Sequence, residues 1–321
     1  LTFTIMSFTS VNSLRRHSRL QYSPEPAYEG ILLKNINWRD LPPETLAVVG
    51  NTFVRGGTVA PRVWLEADDR TRVRRVPLSR GDAVLEAQGV VGLAAEEPQV
   101  TGLDAILTSG RWFRRGERNV VLLPQELARR LGVSLAASDS AQVTPVKRAD
   151  ANLTAEDSGA VWVRLWGVPH KVVGIFDPER LGKRVDLDGE PLTPVTFPGE
   201  TAQALTEVEM EALESGDDVR AFQSRYVHVP PALTLILPAE ALLSNGGQLK
   251  GIALRPGDCC TIPELAERLS DRFGLTLFSG EPGGSYVYTA SDTLSYSGVP
   301  NILIPVVISI LIVLNTMISS V

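Results

Sequence analysis

The chain has 321 residues, 44% of them hydrophobic, with a formal net charge of −6 and a sequence pI near 5.3. An acidic balance with 6% aromatic residues offers neither the basic stripe nor the stacking platform used for nucleic acid, so no nucleic acid partner is expected. The length exceeds one ordinary core and makes two domains the starting expectation.

Leu1 to Val11 (LTFTIMSFTSV) is an uncharged apolar stub, too short to span a bilayer alone. It lacks the basic start of a signal peptide and reads as the end of a truncated membrane helix. Asn12 to Gln21 is polar and basic, with Arg15, Arg16, His17 and Arg19; such flanks usually mark the cytoplasmic side, which pulls against an external middle. After the break at Ser23-Pro24-Glu25-Pro26, Glu29 to Asn35 reads as a strand. Pro42-Pro43 opens a short helix stopped by Gly50, and Thr58 to Leu65 reads as another strand. That order is a βαβ-like or ferredoxin-like half unit. Asp68 to Arg80 is densely charged and reads as a solvated face.

Asn119 to Leu123 (NVVLL) has the pattern of a buried strand. Pro124 then opens QELARRL, a helix closed by Gly132. Ala136 to Gly159 is polar and loop-like. Val161 to Trp166 and Lys171 to Phe176 form a predicted hairpin across Gly167-Val168-Pro169-His170. Pro and Gly punctuate Asp177 to Gly199. Thr201 to Ser215 places Leu205, Val208, Ala212 and Leu213 on one helical face.

The last third repeats the early texture. Leu233 to Leu237 is a predicted strand, Pro238 to Leu243 a short helix, and Leu249 to Arg255 a strand. Thr261-Ile262-Pro263-Glu264 is a capping box that opens a helix with Leu265, Leu269 and Phe273 inward and Gly274 as its stop. Leu275 to Phe278 is a further strand, and Ser285 to Ser297 is a polar lead-in to the apolar C-terminal run. That run, Val299 to Val321, carries no charge. A helix of roughly 22 residues spans about 33 Å, enough to cross a hydrocarbon core. The residues expected inside the membrane are Ile302, Leu303, Ile304, Pro305, Val306, Val307, Ile308, Ile310, Leu311, Ile312, Val313 and Leu314. The alternative, a buried C-terminal helix of a soluble domain, would seldom be apolar on every side.

Little in the sequence points to catalysis. Cys259 and Cys260 are adjacent and the only cysteines, which supports neither a disulfide framework nor zinc spacing. A vicinal disulfide would be strained. His17, His170 and His228 are scattered, without metal-ligand spacing to cysteine or paired carboxylates. No G-x-S-x-G elbow is present. Gly182-Lys183-Arg184 lacks the hydroxyl residue and the first glycine of a phosphate loop. Asn152-Leu153-Thr154 matches a short glycosylation pattern with a high chance rate. No catalytic residue, metal or cofactor is expected.

The middle third is more specific. Val91-Gly92-Leu93, then Val100-x-Gly102-Leu103, Leu107-x-Ser109-Gly110-Arg111-Trp112-Phe113, Asn119 to Leu123 and Leu127-Ala128-Arg129-Arg130-Leu131-Gly132 come in an order that resembles one family. It is the extracytoplasmic core domain of FtsX-like, MacB-like ABC transporter permeases. Val172 to Phe176 resembles the family's next strand, and Asn315 to Val321 the end of its second membrane helix. The family's short glycine turn after Gly132 is replaced here by the polar stretch from Ala136.

The resemblance implies an α+β, two-lobed ectodomain flanked by membrane helix ends. A discontinuous porter-like lobe would take residues 23–85 and 225–297, and a β-rich lobe 86–224 would be inserted between them. Residues 1–22 would be helix end and stalk, and 298–321 the second, truncated membrane helix. It also implies a bacterial inner membrane location with the bulk extracytoplasmic. Its partners would be a cytoplasmic ABC ATPase, a second permease copy or paired permease, membrane lipid, and a periplasmic adaptor or effector. On this reading the chain is no enzyme and relays ATP-driven change outward for export, lipoprotein release or effector activation. A membrane-anchored binding or sensor domain without an ATPase is the second reading. An ectoenzyme is a third, lacking a constellation to support it.

Overall fold

The structure, a computed structural model, describes residues 10–35, 38–54, 56–65, 75–135, 160–196, 227–258, 260–273, 275–297 and 317–318. The expected membrane residues Ile302 to Leu314 lie outside these, as do the predicted helix 201–215, the loop 136–159 and Cys259. No described helix is long and apolar enough to cross a membrane. Residues 18–289 form one compact unit, and 1–17 with 290–321 group as a second.

The strands are β1 (Ser10–Ser23), β2 (Gly30–Lys34), β3 (Thr58–Trp64), β4 (Val76–Arg80), β5 (Ala83–Ala87), β6 (Gly89–Leu93), β7 (Leu107–Gly110) and β8 (Val120–Pro124). They continue with β9 (Trp162–Leu165), β10 (Val168–Phe176), β11 (Val195–Thr196), β12 (Val227–His228), β13 (Thr234–Pro238), β14 (Gln248–Arg255), β15 (Leu277–Glu281) and β16 (Gly284–Ser297). The helices are α1 (Glu44–Val48), α2 (Glu97–Thr101), α3 (Gln125–Arg130), α4 (Pro178–Gly182), α5 (Ala239–Ser244) and α6 (Ile262–Phe273).

One mixed sheet runs in the order β1-β16-β15-β2-β14-β3-β6-β13-β8-β10-β9-β4-β5, with β7 on β10. Most neighbours are antiparallel; β6 with β13 and β8 with β10 are parallel. Those four central strands read GVVGL, TLILP, VVLLP and VPHKVVGIF, near-continuous apolar runs suited to burial on both faces. The period of two divides the core: Ile31 and Leu33 face one apolar cluster with Leu265 and Leu269 of α6, while Leu32 faces the other with Trp64, Leu93 and Phe278. Helix α6 starts as its capping box predicts, with Glu264 accepting from the Thr261 N–H at 3.0 Å.

The α+β expectation holds, whereas the lobe boundaries expected from the resemblance do not fall at a break in the sheet. β3 pairs β6 directly. The first and last thirds do supply one end of the sheet, from β1 to β3, and the middle third most of the other. Two parts sit elsewhere. The β4–β5 hairpin, which runs two residues past the end of 23–85, lies beyond β9, and β13, within 225–297, lies between β6 and β8. β13 is buried at every position, so a central place satisfies both its faces. The polar lead-in 285–297 and the basic stretch 12–21 are strands, and Ser10 and Val11 of the presumed helix stub belong to β1.

Candidate functional site

The residues Val185-Asp-Leu-Asp-Gly-Glu-Pro191 fold back on themselves as a tight turn. Val185 bridges Pro191, the Asp186 N–H donates to the Glu190 carbonyl at 2.8 Å, and Gly189 takes φ +78° at the corner, a backbone state that glycine adopts without steric cost. The Asp188 carboxylate accepts the Glu190 N–H at 3.1 Å and the Asp186 carboxylate the Leu187 N–H at 2.8 Å. Leu187 and Leu192 enter the apolar cluster below. Asp186, Asp188 and Glu190 are all buried.

Cations meet them from the sheet. Lys34 on β2 and Arg62 on β3 both stand opposite Gly251 of β14, hence on one face of three adjacent strands. The register of β14 shifts between Leu249 and Gly251, and that bulge brings Lys250 onto the same cavity wall. Lys34 pairs Asp188, and Arg62 pairs both Asp186 and Glu97. Lys250 reaches Asp40 at 2.6 Å and the Trp38 carbonyl at 2.9 Å. Tyr28 donates to Asp186 at 2.7 Å. His228 on β12 sits with Nε2 2.5 Å from Glu190 and Nδ1 2.7 Å from the Thr193 carbonyl.

Two tryptophans close the cluster. Trp38 stacks on Trp64 with ring centroids 4.3 Å apart, and Lys34 Nζ lies 3.5 Å from the Trp38 ring centre. Trp38 holds φ +57°, a strained state for a side chain of that size. Burial lowers the Lys34 pKa, and Asp188 opposes the shift. Burial also works against the charge of Arg62, but Glu97 and Tyr28 more than offset it and hold its pKa above the ordinary value. Burial pushes the Tyr28 phenol well above its usual range. The space left among these groups is about 20 Å³, room for about one water. The arrangement can clamp the turn to the sheet and leaves no room for a substrate between them.

A second joint lies where the first and last strands meet. Glu281 at the end of β15 is buried and accepts from Ser279 at 2.6 Å, Tyr288 at 2.8 Å and Arg19 of β1 at 2.5 Å. The Arg19 guanidinium lies 3.8 Å from the Tyr286 ring centre. Burial raises the Tyr288 pKa. Elsewhere a groove of about 510 Å³ opens beside the π-helical turn Val49–Phe53, with Leu46, Val59, Leu93 and Phe113 in its walls and Glu96 and Arg115, 2.6 Å apart, among its charged groups.

Sequence reasoning found none of these clusters. His228, which has no cysteine or paired carboxylate at metal-ligand spacing in the sequence, meets Glu190, 38 residues away. His170 is buried and bonds the Val168 carbonyl. Among the described residues no His, Cys, Asp and Glu side chains group as a metal site. The sequence signal available was the alternation Asp-x-Asp-x-Glu through a glycine turn, which puts three acids on one side.

No protein-family model matches the chain, and no curated protein does. Among solved structures it is similar to the periplasmic region of MacB from Actinobacillus actinomycetemcomitans, at 10% identity and a TM-score of 0.41, over 82% of this chain and 90% of that one. It is also similar to the extracellular domain of the noncanonic ABC-type transporter YknZ from Gram-positive bacteria, at 12% identity and a TM-score of 0.35, over 82% and 98%. The chain thus resembles, in outline, the extracytoplasmic regions of MacB and YknZ, a likeness too distant to carry a function across.

Proposed function

We propose that the chain is the extracytoplasmic part of an ABC transporter permease subunit that relays ATP-driven movement from a cytoplasmic ATPase to a client outside the membrane. The observation that carries this reading is the convergence of the two ends of the fold. β1 and β16 are neighbours at one edge of the sheet, and the sequence beyond each is apolar and uncharged. Two membrane arms entering through adjacent strands can transmit relative motion; a single anchor cannot. The motif order from Val91 to Gly132 adds the family resemblance.

On this reading the bulk of the chain is extracytoplasmic in a bacterial inner membrane, and ATP hydrolysis belongs to the partner. The subunit pairs with a second permease copy and meets its adaptor or effector outside. The test is reconstitution of the full-length permease with its ATPase in lipid. Hydrolysis that rises several-fold over the ATPase alone supports the reading; an ATPase indifferent to the permease contradicts it.

A further inference from the structure

The buried Arg62 has a second side. Beyond the turn cluster it forms part of the wall of a separate pocket of about 140 Å³, with Tyr28 before β2, Thr101 at the end of α2, and Lys183 and Arg184 after α4. Arg62 is 5% exposed, and its Nε has no hydrogen-bond partner among the described residues. A buried donor without an acceptor is costly unless something fills it. Lys183 and Arg184 are exposed and make no ion pair among the described residues. Leu103 and Leu192 are among its apolar walls.

Cationic groups therefore converge on one cavity, and two carboxylates, Glu97 and Asp186, already neutralise the deepest of them. The surplus positive charge comes from Lys183 and Arg184. The volume is many times the roughly 10–15 Å³ that one ordered water needs, so a single water does not fill it. A tetrahedral oxyanion supplies acceptors in several directions at once, matching an ammonium and guanidinium groups set on different elements.

We propose that this pocket binds a phosphate group, either as a free phosphate or as the exposed end of a phosphomonoester lipid. Gly182-Lys183-Arg184 is not a phosphate loop in sequence, and the site does not work as one. Its donors are side chains brought together from separate parts of the chain rather than a cradle of backbone N–H groups.

The test is calorimetric titration of the full chain in neutral detergent with inorganic phosphate, and separately with soluble dihexanoyl phosphatidate, at low salt. Saturable binding of either probe is expected, weakened about tenfold or more by K183Q/R184Q. The R129Q/R130Q variant, which removes two charges elsewhere on the surface, is expected to bind as the parent does. Binding of inorganic phosphate identifies a free anion as sufficient; binding of phosphatidate alone identifies a lipid headgroup. Absence of binding by both probes, or equal weakening by the two double variants, overturns the proposal. All four substituted residues are exposed, and circular dichroism of both variants checks that the fold is retained.

Discussion

Arg19 and Glu281, 262 residues apart in sequence, meet at 2.5 Å and join β1 to the end of β15. The carboxylate is almost wholly buried while the arginine side chain is 47% exposed, so the two ends of the bond differ in what their loss costs. Glu281→Ala strands the Tyr288 and Ser279 hydroxyls together with a guanidinium, and a loss of about 2–4 kcal/mol is expected. Arg19→Ala removes a solvent-screened partner and should cost about 1 kcal/mol or less. Urea unfolding of the two variants measures the difference; equal losses would contradict the asymmetry.

The turn cluster predicts a different pattern. Lys34→Met leaves Asp188 buried without its cation, and about 3–5 kcal/mol is expected to be lost. Combining it with Asp188→Leu removes both charges, and much of that loss should return, because a buried pair replaced by apolar groups is often close to neutral. A double-mutant cycle by denaturant unfolding reads the coupling. Additive losses would mean that Lys34 and Asp188 are not a pair in solution.

Gly280 tests the packing around β15, between β16 and β2. A Cβ at this position would collide with the Tyr28 carbonyl oxygen and press on Leu187. Backbone cannot yield as a flexible side chain does, so Gly280→Ala should cost about 2–3 kcal/mol. Thermal unfolding of the variant checks it. A melting temperature unchanged from the parent would show that β15 does not approach the Tyr28 backbone so closely.

Acid should weaken the fold in two steps. Burial lowers the His170 pKa from 6.5, so below about that pH the unfolded chain binds a proton that the folded one refuses, and stability falls as pH falls. Glu117 is held below its ordinary 4.5, first by its hydrogen bonds from Arg111. Its contribution is present above 4.5 and lost as pH falls further, through the folded-state value. His170→Phe should remove the upper step and Glu117→Gln the lower one, read as unfolding midpoints from pH 7.5 to 3. A profile unchanged by both substitutions would contradict these assignments.

Much of the fold is legible in the sequence where pattern and environment agree. NVVLL and LTLIL are apolar at nearly every position and become strands buried on both faces. QELARRL becomes α3, with Gly132 at φ +62° after it, and the Thr261–Glu264 box opens α6. What escapes is polar residues that turn inward. Asp186, Asp188 and Glu190 lie in a stretch legible only as punctuated by Pro and Gly; a carboxylate avoids burial unless it is paired, and their partners Lys34, Arg62 and His228 are distant in the chain. Arg80, at the end of a charged stretch that reads as solvated, donates to the Leu131 carbonyl at 3.0 Å and ties β4 to the end of α3. Strands β1 and β16 are hidden for the related reason that edge pairing tolerates polar sequence, which a hydrophobic alternation cannot reveal.

The central claim is that movement passes through the paired terminal strands, and a flexible insertion addresses it most directly. Several Gly-Ser repeats placed after Ser297 in the full-length permease, reconstituted with its ATPase and client, should leave ATP hydrolysis measurable and abolish the exported activity. Preserved export alongside preserved hydrolysis would contradict a mechanical role for β16 and leave the chain as a tethered binding domain.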